Sequence, residues 1–236
     1  MPTIRIKICG VTTVDDARAV ADLGADLIGL NLYDGPRKID VPRASEILNQ
    51  LPASITPVVL LDAAAGRIPR ELIERHRITH LQLYGPVAPD LIRALSADGL
   101  RPIYVAAAVT AAFVSDVQRF LDACGDRPPA AILLDAVAPD RAGGTGRRAD
   151  WDAIRHAREI GRTNGWPPIW LAGGLRPDNV TDAIRMVQPD VVDVSSGVES
   201  SPGRKDPSAV DAFVRAVREA QPAPRDTDGS AANVRD

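Results

Sequence analysis

Short apolar segments alternate with segments of helical periodicity along most of the 236-residue chain. Each apolar segment has the length of a buried strand, and β-branched and aliphatic residues dominate it. The eight predicted strands are residues 3–8, 27–32, 56–61, 80–83, 102–105, 130–134, 168–171 and 191–194. Their starts recur at roughly 20 to 40 residues, which is the size of one strand–helix unit.

The intervening segments carry apolar residues at every third or fourth position, as one face of a helix requires. Residues 14–23 show this pattern, and Gly24 is placed to end that helix. Further helices are predicted over 150–160 and 207–220. Another is expected to open at Pro177, because proline suits the first helical turn.

Strands that alternate with helices indicate an α/β fold with a parallel sheet covered by helices. The number of units and the chain length favour closure into a single (β/α)8 TIM barrel. An open doubly wound sheet is the alternative, but the glycine-rich turn typical of that fold is missing from residues 9–13. We therefore assign residues 1–220 to the barrel. Residues 221–236, rich in Pro, Asp, Ala, Gly and Ser, are expected to be a disordered tail.

The composition of the chain argues against several classes of protein. Hydrophobic residues make up 45% of the chain and the net charge is −3, with no sustained basic stretch, so nucleic acid is not an expected partner. No apolar run reaches the roughly 18 residues of a membrane helix, and no signal-peptide pattern is seen. Two cysteines far apart, Cys9 and Cys124, give no disulfide framework, which favours the cytoplasm. The histidines lack ligand spacing, so we predict no metal site.

Polar residues end several of the otherwise apolar segments. In a (β/α)8 barrel the carboxyl ends of all strands lie on one rim, where active sites form. The candidates on that rim are Cys9, Gln82, Tyr84, Asp135, Gly173, Gly174, Asp193, Ser195 and Ser196. So many polar residues at one rim predict a functional site.

Cys9 is the candidate general base. Strand alternation places Arg5, Lys7 and Cys9 on the same side, which we expect to face the barrel interior. Lys7 would then neutralise Asp135 or Asp193, and nearby positive charge lowers the pKa of a thiol. The alternative is that Cys9 is only a small buried core residue.

Asp135 is the candidate general acid. It follows a run of aliphatic residues, so burial is expected to raise the pKa of its carboxyl group toward the neutral range. The alternative is a helix-capping aspartate. A long predicted loop over 136–149, rather than an immediate helix, weakens that alternative.

Two further groups of residues point to an anionic ligand. Gly173-Gly174 and Ser196-Gly197 follow the seventh and eighth predicted strands, where barrels of this type commonly bind phosphate through backbone amides. Gly144, in another glycine cluster, is a weaker candidate because such clusters are often only flexible turns. Arg37, after the second strand, could grip a carboxylate through two hydrogen bonds, or could simply belong to a solvated loop.

Together these residues resemble the phosphoribosylanthranilate isomerase family of tryptophan biosynthesis. The resemblance extends from Lys7 to about Arg218 and rests on several independent motifs in the same order. The motifs are Lys7-Ile8-Cys9-Gly10, Gly143-Gly144-Thr145-Gly146 with Asp150-Trp151, Leu171-Ala172-Gly173-Gly174-Leu175, and Asp193-Val194-Ser195-Ser196-Gly197-Val198-Glu199 with Lys205-Asp206.

The resemblance implies a cofactor-free barrel that performs an Amadori rearrangement on a phosphorylated small molecule, as a monomer or homodimer. Asp135 would protonate the ribose ring oxygen, and Cys9 would remove the C2 proton of the resulting iminium. Arg37 would hold the anthranilate carboxylate, with Gln82, Tyr84 and Asp193 as further substrate contacts. The amides around Gly144, Gly173, Gly174, Ser195, Ser196 and Gly197 would bind the phosphate.

The chain departs from the family pattern on strands two to four. Tyr84 stands where the family usually has histidine, and Asp62 where an asparagine is usual. Asn31 lies in a second strand that usually carries phenylalanines, and Gly35 precedes Pro36 in a loop that lacks the usual serine. These departures lie beside the aromatic half of the implied substrate.

Two other functions remain open at the level of the sequence. The first is a related phosphoribosyl aldose–ketose isomerase of the histidine pathway, which normally uses two aspartates, one of them in place of Cys9. The second is a barrel that binds a phosphorylated ligand without catalysis, a role that requires neither Cys9 nor Asp135.

Overall fold

Eight parallel strands close into a barrel, each paired with its neighbour in sequence and β8 paired with β1. The computed structural model describes residues 3–107, 112–136 and 149–220. The strands are β1 Arg5–Cys9, β2 Leu27–Asn31, β3 Thr56–Asp62, β4 His80–Tyr84, β5 Arg101–Ala107, β6 Ala131–Asp135, β7 Ile169–Leu171 and β8 Val191–Val194. The predicted barrel is confirmed and the open sheet is excluded. Gly144 and the predicted tail, 221–236, lie outside the described residues.

A helix follows each strand and covers the outside of the barrel. The helices are α1 Val14–Asp22, α2 Val41–Leu48, α3 Arg70–His76, α4 Pro89–Ala97, α5 Phe113–Cys124, α6 Trp151–Glu159, α7 Val180–Val187 and α8 Pro207–Ala220. Thr13 caps α1 by accepting a hydrogen bond from the Asp16 amide. No helix in the described ranges is long and apolar enough to cross a membrane.

The prediction that a helix opens at Pro177 is wrong, because α7 begins only at Val180. Residues 177–179 form a turn instead. The Asn179 side chain accepts a hydrogen bond from the Arg176 amide at 2.8 Å and donates one to the Gly174 carbonyl at 3.0 Å. These local bonds hold the turn and delay the start of the helix.

Two apolar clusters divide the core. The larger one lies between the barrel and its helices and includes Ile6, Ile8, Leu134 and Phe213. The smaller one fills the barrel with Cys9, Leu27, Val58, Leu60, Tyr84, Ile103, Val105, Ala131, Leu133, Trp170, Ala172 and Val191. Because strand side chains alternate between the two clusters, the polar groups on the inner face lie in a largely apolar interior.

A short segment after β8 was not predicted. It consists of a 3₁₀ helix, Ser196–Val198, and a hairpin of two very short strands, β9 Glu199–Ser201 and β10 Arg204–Lys205. Its strands are too short to show a hydrophobic period. The hairpin carries Glu199 and Lys205 to the carboxyl end of β1, where the Lys205 ammonium contacts the Cys9 carbonyl.

Candidate active site

The carboxyl ends of β1, β4, β6 and β8 bring predicted catalytic and substrate-binding residues to one rim. Cys9 ends β1, Asp135 ends β6 and Asp193 lies near the end of β8. Tyr84 ends β4, and the negative charges of Cys9, Asp135 and Asp193 all act on its hydroxyl group. Burial, followed by these charges, raises the pKa of Tyr84 well above its ordinary value, so the phenol stays neutral.

Lys7 and Asp193 form a buried ion pair across the β1–β8 seam. The Lys7 Nζ atom lies 2.7 Å from Asp193 Oδ2, and the lysine side chain is completely buried. Burial alone would lower the pKa of the Lys7 ammonium, but Asp193 and Cys9 together raise it. The prediction that Lys7 faces the interior and neutralises an aspartate is therefore confirmed, and Asp193 is the aspartate.

The pKa of Cys9 runs against the expectation from sequence. Positive charges from Lys7 and Lys205 lower it as expected, but burial is the larger influence and leaves the pKa of the thiol raised. Asp193 raises it further. The positive charge of Lys7 was predicted from the sequence, but the degree to which the thiol is shielded from water was not.

Two glycines provide the space that Cys9 and Arg37 occupy. A Cβ atom at Gly29, the β2 residue paired with Cys9, would lie 2.6 Å from the thiol sulfur. Gly10 adopts a φ of +73°, and a side chain there would overlap the Arg37 side chain. Glycine is thus required at both positions, because the Cys9 and Arg37 side chains lie too close to the backbone to leave room for a Cβ atom. The sequence alone did not show these contacts.

Arg37 is buried rather than solvated, so the solvated-loop alternative is wrong. Its Nε and Nη2 atoms donate to the two carboxylate oxygens of Glu199, at 2.8 and 2.7 Å. Lys205 donates to the same carboxylate at 2.8 Å and to the Cys9 carbonyl at 2.6 Å. The bidentate bond to Glu199 fixes one edge of the guanidinium and directs its other N–H groups away from that carboxylate.

Gln82 and Tyr84 are linked to each other within the barrel mouth. The Gln82 side-chain amide donates to the Tyr84 hydroxyl oxygen at 2.9 Å. The Tyr84 ring stacks on Tyr33, with 5.4 Å between ring centroids and 4° between ring planes. Within the described ranges, Gln82 Oε1 and Asp193 Oδ1 accept no hydrogen bond. The site therefore offers an aromatic face beside buried polar groups.

Asp135 is buried at the end of β6, directly against the loop that follows β7. A Cβ atom at Gly173 would lie 2.6 Å from the Ala136 amide nitrogen and 3.2 Å from Asp135 Oδ1. Gly173 also has a φ of +83°, a conformation that favours glycine. One function of Gly173 is therefore to let the β7 loop pack against Asp135.

The loops after β7 and β8 interlock at the same rim. Gly174 continues the left-handed turn with a φ of +66°. The Gly197 Cα packs so tightly against the Leu175 carbonyl oxygen that a side chain would overlap it. Ser196 and Gly197 lie in the 3₁₀ helix, and the Ser195 hydroxyl donates to the Cys9 carbonyl at 3.0 Å. Such a short extra helix beside these two loops is the usual phosphate site of this architecture.

Comparison with known proteins assigns the family. Residues 6–216 match the family model described as N-(5'phosphoribosyl)anthranilate (PRA) isomerase. The chain belongs to this family of isomerases. It is 41% identical over 219 residues to the N-(5'-phosphoribosyl)anthranilate isomerase of Acidithiobacillus ferrooxidans, covering 92% of this chain and 99% of that one.

Solved structures of phosphoribosyl anthranilate isomerases share the fold. The structure from Thermotoga maritima superposes with a TM-score of 0.77 at 28% identity, covering 92% of this chain and all of that one. Another was solved in complex with reduced 1-(o-carboxyphenylamino)-1-deoxyribulose 5-phosphate, and it matches with a TM-score of 0.75 at 27% identity over the same shares.

Four residues contact the candidate site of this phosphoribosylanthranilate isomerase family member without having been predicted from the sequence: Glu199, Lys205, Gly29 and Tyr33. The first two lie within the quoted family motifs, but nothing in their spacing showed that they meet Arg37 and Cys9. Gly29 pairs in register with Cys9, which only the sheet reveals. Tyr33 lies outside any motif and is found only through its stacking on Tyr84.

Proposed function

We propose that this chain converts N-(5'-phosphoribosyl)anthranilate into 1-(2-carboxyphenylamino)-1-deoxyribulose 5-phosphate, an aldose–ketose isomerisation in tryptophan biosynthesis. Beyond family membership, one observation carries the proposal. A buried thiol and a buried carboxyl group share one rim with interlocked glycine loops after β7 and β8. The thiol also distinguishes the chain from the histidine-pathway alternative, which normally has an aspartate in place of Cys9.

Asp135 acts first, as general acid. It protonates the ribose ring oxygen while the C1–O bond breaks, and the nitrogen lone pair forms an iminium with C1. Cys9, as thiolate, then removes the proton from C2, and the electron pair of that C–H bond forms a C1–C2 double bond while the π pair of the iminium returns to nitrogen. The resulting enolamine tautomerises to the ketone as its C2 hydroxyl loses a proton and C1 gains one. The buried ion pair of Lys7 and Asp193 beside Cys9 supports this assignment.

The substrate is held at both ends. The N–H groups of Arg37 that do not face Glu199 bind the anthranilate carboxylate, and the Tyr33–Tyr84 pair provides an aromatic face for the ring. Gln82 is completely buried, so its contribution is to fix the Tyr84 hydroxyl. Asp193 supplies an acceptor oxygen for the ribosyl part.

The phosphate is bound by backbone amides. Gly173, Gly174, Ser195, Ser196 and Gly197 surround the position where the β7 and β8 loops meet. Several of these residues have backbone conformations or close contacts that favour glycine, so amides can approach a phosphate oxygen without an intervening side chain. Gly144 remains a predicted phosphate contact from its sequence motif.

The cellular setting follows from the chemistry. Both cysteines are free, which suits a reducing cytoplasm and preserves the thiol that the reaction uses. Every group assigned to the substrate comes from this one chain. A monomer or a homodimer would therefore be equally competent.

Complementation tests the proposal directly. A tryptophan auxotroph that lacks this isomerase should grow when it expresses the chain, and a histidine auxotroph lacking the corresponding isomerase should not. Asp135→Asn, which keeps the shape of the side chain but cannot act as the acid, should fail to restore growth. Growth of only the histidine auxotroph would overturn the proposal, as would rescue by Asp135→Asn as strong as by the unaltered chain.

A further inference from the structure

The chain contains only three lysines, and two of them are buried beside Cys9. Lys7 is explained by its ion pair with Asp193. Lys205 is not part of that pair, because it reaches the site from the hairpin after β8. A buried ammonium is costly to desolvate, so its position requires an explanation.

Lys205 is held by three acceptors within the site. Its Nζ atom donates to the Cys9 carbonyl at 2.6 Å, to Glu199 Oε1 at 2.8 Å and to the Ser195 carbonyl at 3.3 Å. The three bonds use all three N–H groups of the ammonium. Lys205 therefore ties the end of β1 to the loop after β8 at the residue that carries the thiol.

Glu199 extends this link to the substrate-binding side. Its carboxylate accepts two bonds from Arg37 and one from Lys205, and its side chain is only 4% exposed. Arg37 approaches over Gly10, the residue that follows Cys9. One hairpin thus contacts both the candidate base and the candidate carboxylate-binding residue.

We infer that Lys205 and Glu199 are positioning residues that couple the Cys9 thiol to the Arg37 guanidinium. Lys205 fixes the backbone of Cys9 and places a positive charge near its thiol, while Glu199 orients Arg37 and is the counter-ion that the two cations share. The inference rests on the proposed roles of Cys9 and Arg37. It adds a physical connection between the base and the residue that recognises the carboxylate.

The charges around the thiol determine in which direction its pKa should move when Lys205 is removed. Positive charge near Cys9 comes from Lys7, Lys205 and Arg37, and negative charge comes from Asp193. The remaining titratable groups on this side are Tyr84 and its neighbour Asp135. Removing Lys205 leaves Lys7 and Arg37 but takes away one charge that favours the thiolate. Burial already lowers the pKa of the Lys205 ammonium, and Glu199 is the charge that opposes this shift.

The first test is the reactivity of Cys9 toward iodoacetamide as a function of pH, followed at the Cys9 peptide by mass spectrometry. In Lys205→Met, which is close to isosteric, the midpoint should move to higher pH than in the unaltered protein, because the thiolate has lost a stabilising charge. The same shift should appear in the rising limb of kcat/KM. Lys38→Met is the matched control, since that exposed lysine pairs with Asp34 at the surface.

The second test uses Glu199→Gln, which keeps the shape and removes the charge. Arg37 loses its bidentate anchor, so KM should rise roughly tenfold, the effect expected when charge-assisted hydrogen bonds are lost. Lys205→Met should instead affect mainly kcat at neutral pH.

Two results would overturn the inference. One is an unchanged Cys9 midpoint in a folded Lys205→Met protein, which would reduce Lys205 to a structural role. The other is an unchanged KM in Glu199→Gln. Alkylation requires no substrate, so a shifted Cys9 midpoint would support the coupling even if the isomerase assay failed and the proposed function with it.

Discussion

The Cys9 thiol is subject to two opposing influences, burial and the positive charge of nearby lysines. Burial is the stronger and raises the pKa of the thiol. Because the proposed base, Cys9, must act as a thiolate, kcat/KM should continue to rise with pH beyond neutrality until the thiol is ionised. A pocket that excludes water thus restricts the amount of active base at low pH.

Cys9→Ser should lower kcat by about 100-fold or more, because a hydroxyl is a far weaker base at the same pH. The alkaline rise in kcat/KM should disappear with it. Cys124→Ser, which alters the other buried thiol at the end of α5, is the control and should leave kcat close to that of the unaltered enzyme. A Cys9→Ser variant with normal kcat would exclude Cys9 as the base.

Gly29 determines how much space the thiol has. Gly29→Ala would place a methyl group 2.6 Å from the sulfur, so we expect a loss of about 1–3 kcal/mol in the free energy of unfolding from overpacking, and a reduced kcat. Cys9→Ala in the same chain should recover part of that stability, because it removes the overlapping atom. Urea denaturation of the single and double variants measures the effect, and strict additivity would contradict it.

At the scale of elements, the loops after β7 and β8 act as one unit because Gly197 packs on the Leu175 carbonyl oxygen. In Gly197→Ala the two loops must separate, so the backbone amides proposed to bind the phosphate lose their spacing. We expect KM to rise about tenfold with a smaller change in kcat. Ser200→Ala, on the adjacent hairpin, serves as the control. Equal losses in kcat and an unchanged KM would argue against a phosphate role for this contact.

The elements differ in how well the sequence revealed them. The strands, and the three helices predicted with both ends, lie within a few residues of their predicted bounds, because apolar periods report burial directly. The start of α7 was wrong because the side chain of Asn179, rather than Pro177, organises the preceding turn. The hairpin that carries Glu199 and Lys205 could not be predicted, since its short strands have no period and the ion pair between Glu199 and Arg37 joins residues distant in sequence.

At the scale of the whole molecule, Lys7 and Asp193 lie at the seam where β8 meets β1. Lys7→Met should reduce the free energy of unfolding by about 3–5 kcal/mol, because it leaves a buried carboxylate without its counter-ion. Lys7→Met combined with Asp193→Leu should recover most of that stability, yet not the activity. Urea denaturation and an isomerase assay on both variants separate the two effects, and equal stability of the single and double variants would contradict the expectation.

The distribution of lysines has a consequence for covalent labelling. Lys38 is the exposed lysine, while Lys7 and Lys205 are enclosed at the mouth of the barrel. An amine-reactive ester added to the native protein should therefore modify Lys38 and spare the other two lysines until the barrel opens. The rate at which Lys7 is acylated therefore measures how often the β1–β8 seam opens. The rate at which Lys205 is acylated measures how often the hairpin is released.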